Sequence, residues 1–190
     1  MNLHDSQQLF RKMNRRRGFS LIELLIVMVI VLILAVITVP NLMRARISAN
    51  ESSAVVSVRA INTAEVSYFI SFPSNGYATV LANLGGAAPC TATPAAACLI
   101  DNVLASGTKS GYTFAAAGDD GVNGINSTYA VGAAPVHYNQ SGVRKFCSTE
   151  DGVIRYNPGS NNIVPNAAAC KDGTFNPLNS HGSVGAQRGK

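Results

Sequence analysis

The stretch from Arg15 to Val39, RRRGFSLIELLIVMVIVLILAVITV, decides how the rest of the chain is read. From Phe19 onward, Ser20, Glu23 and Thr38 are its only polar side chains. A bilayer core about 30 Å thick asks for roughly 20 apolar residues in helical form, so residues 19–39 are long enough to span a membrane. Arg11, Lys12, Arg15, Arg16 and Arg17 precede the span, and of the basic residues beyond it Arg44 and Arg46 follow closely. Positive charge concentrates on the side that stays cytoplasmic. The N-terminus is therefore expected inside, and everything after Val39 outside the cytoplasm.

Glu23 is the anomaly. A carboxylate well inside a membrane helix is disfavoured by about 2.5–3.5 kcal/mol on insertion scales. A cleaved secretory signal does not account for it, because such signals carry about 7–15 apolar residues and end at a small-x-small site. This run is longer and continues into Pro40-Asn41-Leu42-Met43-Arg44. A plain uncleaved anchor fits the composition and leaves Glu23 unexplained.

Gly18, then Phe19, Ser20, Leu21, Ile22 and Glu23, then a long apolar helix interrupted at Pro40, resembles the class III leader and N-terminal helix of type IV pilins and of the related pseudopilins of type II secretion. The resemblance is strong from about Arg15 to Arg46. It implies cleavage between Gly18 and Phe19 on the cytoplasmic side by a dedicated inner-membrane prepilin peptidase, and methylation of the new amino group to give N-methyl-Phe19. It also implies a role for Glu23, as the partner of the N-terminal amine of a neighbouring subunit during addition to a filament. A charge that is costly alone and less so when paired favours the assembled state.

Three functions follow as expectations. The first is a pilin polymerising through its N-terminal helix, alone or with other pilins, into a filament for adhesion, motility or DNA uptake. The second is a type II secretion pseudopilin. The third is a membrane-tethered periplasmic binding module that never polymerises, for which Glu23 and cleavage would not matter. The first two imply an inner-membrane assembly platform as a further partner, and a location that passes from the bacterial inner membrane, single-pass, to a periplasmic and extracellular filament.

Removing 18 of the 190 residues leaves 172, enough outside the membrane for one modest head domain with a core. The formal charge of +5 is misleading, since residues 1–18 hold five basic residues and one acidic one. The remainder stands near +1, with no basic stripe. Pairs such as Arg144-Lys145 and the Arg188-Gly189-Lys190 end read as solvated surface, and nucleic acid is an unlikely partner on this count.

Past Pro40, which lacks the N–H that would bond the Val36 carbonyl and should kink or loosen the helix, the helical pattern continues. Ile47, Ala54, Val58, Ile61, Ala64, Tyr68 and Phe72 recur on one face, while Arg46, Glu51, Arg59 and Asn62 are placed largely elsewhere. A helix from Phe19 to Phe72 would be about 80 Å long. Four parts result: a cleaved leader over 1–18, a spanning and assembly helix over 19–39, a helical continuation over 40–72, and a head over 73–190.

Within the head, 73–110 is Ala-, Gly- and Pro-rich and is expected as a loop. Strands are expected at 112–116, 128–133, 143–147 and 153–156, with the Glu150-Asp151-Gly152 turn making the last two a hairpin. The tail after Asn176 reads as mobile. The expected fold class is α+β, a long N-terminal helix packed on a small antiparallel sheet, which is also what the pilin resemblance implies.

Four cysteines in an oxidising compartment suggest two disulfides, and of three pairings the sequence selects none. Cys90–Cys98 with Cys147–Cys170 is the preferred pairing; in pilins a C-terminal disulfide of this kind often encloses a variable surface region. A zinc site is disfavoured by the lack of any C-x-x-C pair. The stretch 118–126, GDDGVNGIN, resembles a calcium loop, but Gly121 stands at a ligand position and no glutamate closes it. It is expected to be a turn, with Asp119, Asp120 and Asn123 as a weak calcium alternative. His4, His137 and His181 stand alone in the sequence. Asn50-Glu51-Ser52 and Asn126-Ser127-Thr128 match a glycosylation sequon common by chance. No nucleophile, base and orienting residue assemble, so neither an enzyme nor a cofactor is expected.

Overall fold

A computed structural model of the chain describes residues 18–119, 121, 123–159 and 161–178. The basic cluster Arg11 to Arg17, His4, Asp120, His181 and the Arg188–Lys190 end lie outside these. The chain divides into two units, residues 1–42 and 43–190. One helix, α1 (Leu21–Ser71), runs unbroken through both, with Pro40 inside it.

In the first unit α1 is apolar on every side, and its large side chains from Leu21 to Leu42 are nearly all exposed. Two of its polar groups turn back on the helix: Thr38 Oγ1 donates to the Leu34 carbonyl at 3.0 Å and Asn41 Nδ2 to the Ile37 carbonyl at 3.2 Å. Such back-bonding hides polar atoms from an apolar medium.

In the second unit α1 is amphipathic. Ala54, Val58, Ile61, Ala64 and Tyr68 face a core completed by Tyr112, Phe114, Val131, Ala133 and Phe146 of the sheet. Two further residues on this stripe, Glu51 and Glu65, are also buried. Glu51 therefore does not lie off the buried face as its charge suggests. Its spacing of three before Ala54 and seven before Val58 puts it there, and a partner on the sheet makes the burial tolerable. Asn62 is likewise only half-exposed, held by a bond from its Nδ2 to Ser148 Oγ at 2.8 Å.

The sheet is an antiparallel meander in sequence order: β1 (Thr108–Lys109), β2 (Tyr112–Asp119), β3 (Thr128–Pro135), β4 (Arg144–Thr149), β5 (Arg155–Pro158) and β6 (Asn176–Pro177). Strand β2 alternates, with Tyr112, Phe114 and Ala116 inward and Ala115 and Ala117 outward. It pairs with β3 along eight residues, from Tyr112↔Pro135 to Asp119↔Thr128, so both strands outrun the expected 112–116 and 128–133. Strand β3 is buried on both faces because the segment around Pro165 crosses its outer side. A Cβ on Gly132 would stand 2.1 Å from the Pro165 carbonyl oxygen, which is why glycine sits there.

The last expected strand, 153–156, begins instead at Arg155. Val153 and Ile154 are taken up by the turn, where Asp151 Oδ1 accepts the Val153 N–H at 2.9 Å and Gly152 takes φ +68°. Pro177 and Leu178 are tied down rather than loose: β6 pairs with β5, and Leu178 N–H donates to the Ile154 carbonyl at 2.9 Å.

The 73–110 region holds two short helical pieces, a 3₁₀ turn at Leu81–Leu84 and α2 (Asn102–Ala105) capped by Asp101, whose carboxylate accepts the Leu104 N–H. A disulfide joins Cys90 to Cys98. A second joins Cys147 on β4 to Cys170 on α3 (Ala167–Lys171), with Phe175 packed beside it.

Candidate functional site

The candidate site lies at the start of α1. Gly18, Phe19 and Ser20 precede the helix without regular structure, and all three are exposed. The Ser20 carbonyl accepts the Leu24 N–H at 3.2 Å, which closes the first helical turn. Glu23 lies in that turn. A carboxylate at this position meets the positive end of the helix dipole, although that contribution is smaller than the cost of placing it in lipid.

Gly18 is informative because the fold does not require it. A Cβ there would meet nothing within 4 Å. Phe19 is 76% exposed. Together, Phe19 to Glu23 present a hydrophobic side chain, a small hydroxyl and a carboxylate within five residues, with no other acid in the apolar stretch to Val39. The helix is long and apolar enough to cross a membrane.

The remaining candidate residues do not gather into a second site. Asp119 ends β2, where its carbonyl accepts the Thr128 hydroxyl at 3.2 Å, and Asn123 takes a left-handed turn conformation at φ +57°. Asp120 is outside the described residues. Among the described residues no three His, Cys, Asp or Glu side chains come together as a metal site would require. Exposed His137 donates its backbone N–H to Ser141 Oγ at 3.0 Å. Asn50 and Asn126, in the two sequons, spend their side-chain amides on the Ser141 and Tyr77 carbonyls. Lys145 Nζ donates to Asn161 Oδ1 at 3.1 Å.

Two residues that sequence reasoning missed organise the head. The Glu51 carboxylate accepts the Val143 and Arg144 backbone N–H groups at 2.9 and 3.0 Å and Arg144 Nε at 2.6 Å, and it also pairs with the Arg144 Nη2. The Arg144 guanidinium lies 6.0 Å from the centroid of the Tyr156 ring. Glu65 is fully buried, with one oxygen on the Ala78 N–H at 2.9 Å and the other without a hydrogen-bond partner among the described residues. Their spacing on the apolar stripe, 51, 54, 58, 61, 65 and 68, was the available signal.

A single apolar helix with an acid near its start, leading into an α+β head with a sheet on the same helix, defines the pilin-like class. The family described as "Prokaryotic N-terminal methylation motif" matches residues 13–39. The chain is also similar to the type IV major pilin protein PilA of Myxococcus xanthus, 44% identical over 55 residues, which are 29% of this chain and 25% of that protein. The match thus spans about a quarter of that relative's length. No solved structure matches. Over this N-terminal segment the chain carries the methylation motif and is similar to a type IV major pilin.

Proposed function

We propose that this chain is a structural subunit, made as a membrane-anchored precursor and polymerised through its N-terminal helix into a type IV pilus-like filament. A prepilin peptidase removes residues 1–18 and the exposed Phe19 amine is methylated. The apolar surface of α1 from Phe19 to Val39 leaves lipid and packs against the same segment of other subunits, at an inner-membrane assembly platform. Glu23 meets the Phe19 amine of a neighbour and sets the stagger between them.

The observation that carries this reading is Glu23 itself, the one acid in an apolar helical surface that is exposed along its whole length in a single chain. An anchor has no use for that charge. An assembling helix does, because pairing removes a cost borne by each unassembled subunit. The exposed, fold-independent Gly18 supports processing at its C-terminal side.

Mass spectrometry of the mature N-terminus tests the processing half. The expected product begins at N-methyl-Phe19, and Gly18→Leu accumulates as unprocessed protein in the inner membrane. Normal-sized mature protein from that variant, or a native N-terminus elsewhere, would overturn it.

A further inference from the structure

The two buried glutamates of the head are handled differently. Every oxygen of Glu51 has a donor, and a guanidinium balances its charge. Glu65 is 0% exposed, pairs with no cation among the described residues, and has a single backbone donor for its two oxygens. An ionised carboxylate in such a place is strongly disfavoured, whereas a neutral one is tolerable.

The position of Glu65 gives this a structural consequence. The Ala78 residue whose N–H it holds also accepts, through its carbonyl, the Gly118 N–H of β2 at 2.8 Å. Tyr77, next to Ala78, is fixed by mutual bonds with Asn126, at 3.0 Å to its N–H and 2.9 Å to its carbonyl, and its ring lies 4.7 Å from that of Tyr129. One turn along α1, Tyr68 donates its hydroxyl to the Pro94 carbonyl at 2.7 Å, inside the loop closed by Cys90–Cys98. Adjacent turns of one helix face thus hold both the start and the middle of the long connection between α1 and β1.

We propose that Glu65 is a proton-operated latch on this connection: its neutral carboxyl keeps residues 73–80 seated on α1, and loss of the proton releases them so that the carboxylate can reach water. The proposal does not depend on whether the chain polymerises. On the topology given above, the loop faces the medium outside the cytoplasm, and the device converts the acidity of that medium into exposure of a surface loop.

The groups facing Glu65 agree with this. From α1 there is Tyr68 and from β3 Tyr129, both held further toward their neutral forms by burial first and by Glu65 second. Tyr77 of the connection and Glu150 and Asp151 of the β4–β5 turn act on Tyr129 in turn. None of these supplies positive charge. Burial pushes the Glu65 carboxyl from 4.5 up to about 7, opposed by the Ala78 N–H bond. A carboxyl whose pKa is higher when seated than when open favours the seated state fully below pH 4.5 and loses that advantage as pH rises toward 7, levelling above it.

The test is amide hydrogen exchange on the full-length chain in detergent micelles, read as protection factors so that the intrinsic pH dependence of exchange is removed. Protection at Ala78 and Gly118 should fall with rising pH, by up to about 80-fold between pH 4.5 and 7, while helix amides such as Val58 and Ile61 stay level. Glu65→Gln, which keeps the acceptor for Ala78 and cannot ionise, should be flat across the range. In the unsubstituted protein the Glu65 carboxyl carbon should titrate near 7 by NMR. Flat protection at Ala78, an unchanged slope in Glu65→Gln, or a carboxyl midpoint near 4.5 would each overturn the proposal.

Discussion

The two stretches of α1 are built by the same backbone and treated by the chain in opposite ways. Between Met43 and Ser71 the apolar residues form a stripe, and the sheet covers it. Between Leu21 and Leu42 apolar residues surround the helix, and no part of the head's core includes them. The acids follow the same division. Glu51 is met by four donor groups from β4 and the residue before it, whereas Glu23 stands alone in its stretch. The first half of the helix thus presents an apolar surface that nothing among the described residues covers, while the stripe on the second half is covered by the head.

If the head's half is self-sufficient, damage there should cost stability and leave membrane retention untouched. The largest such effect is expected from Glu51→Ala. It strands a largely buried Arg144 and two backbone N–H groups, at a cost of about 3 kcal/mol or more. Thermal unfolding of the detergent-solubilised protein reads this, and membrane fractionation should show the variant retained as before. A head unaffected by Glu51→Ala would mean that the two halves do not differ as described.

Replacing Cys147 and Cys170 together by serine comes next. Opening a bridge that spans 23 residues costs about 3 kcal/mol on chain-entropy bookkeeping, and the 8-residue Cys90–Cys98 bridge slightly less. Denaturant melts of the two double variants, compared side by side, sharpen the point, since the first bridge joins the sheet to the C-terminal segment and the second closes a local loop. An equal or reversed order would place the stabilisation elsewhere.

The smallest effect concerns Asp151. The Arg155 guanidinium holds its carboxyl from 3.8 down to about 2, against some burial. A lowered pKa contributes stability above the unfolded value of 3.8 and loses it as pH falls through about 2. Because Asp151 is substantially exposed, solvent screening reduces the contribution to at most about 1 kcal/mol. Asp151→Asn should therefore lower the melting temperature slightly at pH 7 and progressively less below pH 4.

The division of α1 was legible in the sequence because its two halves differ in pattern. An all-apolar run, then a helical stripe, reads directly as a span followed by a packed helix. Strands β2, β3 and β4 were legible as short strand-like runs set off by the Gly, Asn and Asp clusters between them. Strands β1 and β6, two residues each, are too short to carry any period and exist because longer neighbours offer an edge. β5 began later than its Val153-Ile154 start suggested, since a carboxylate in the turn captured the Val153 N–H. Glu51 shows the commonest way such a reading fails. Its charge argued for the surface and its spacing for the interior, and the Arg144 that resolves the conflict lies 93 residues away. At the start of α1 the situation reverses. Glu23 stood out because it is the one acid in the apolar run from Phe19 to Val39.

The central claim is that Glu23 serves assembly rather than insertion, and a single pair of readings on one variant tests it. Glu23→Ala, expressed without native subunits, should be easier to hold in lipid and should lack the partner for a neighbour's Phe19 amine. Membrane fractionation with filament shearing measures both. The account predicts stable, membrane-embedded protein with few or no filaments, and an intermediate yield from Glu23→Asp, whose charge survives on a side chain one methylene shorter. Filaments from Glu23→Ala at the level of the unsubstituted protein would contradict it.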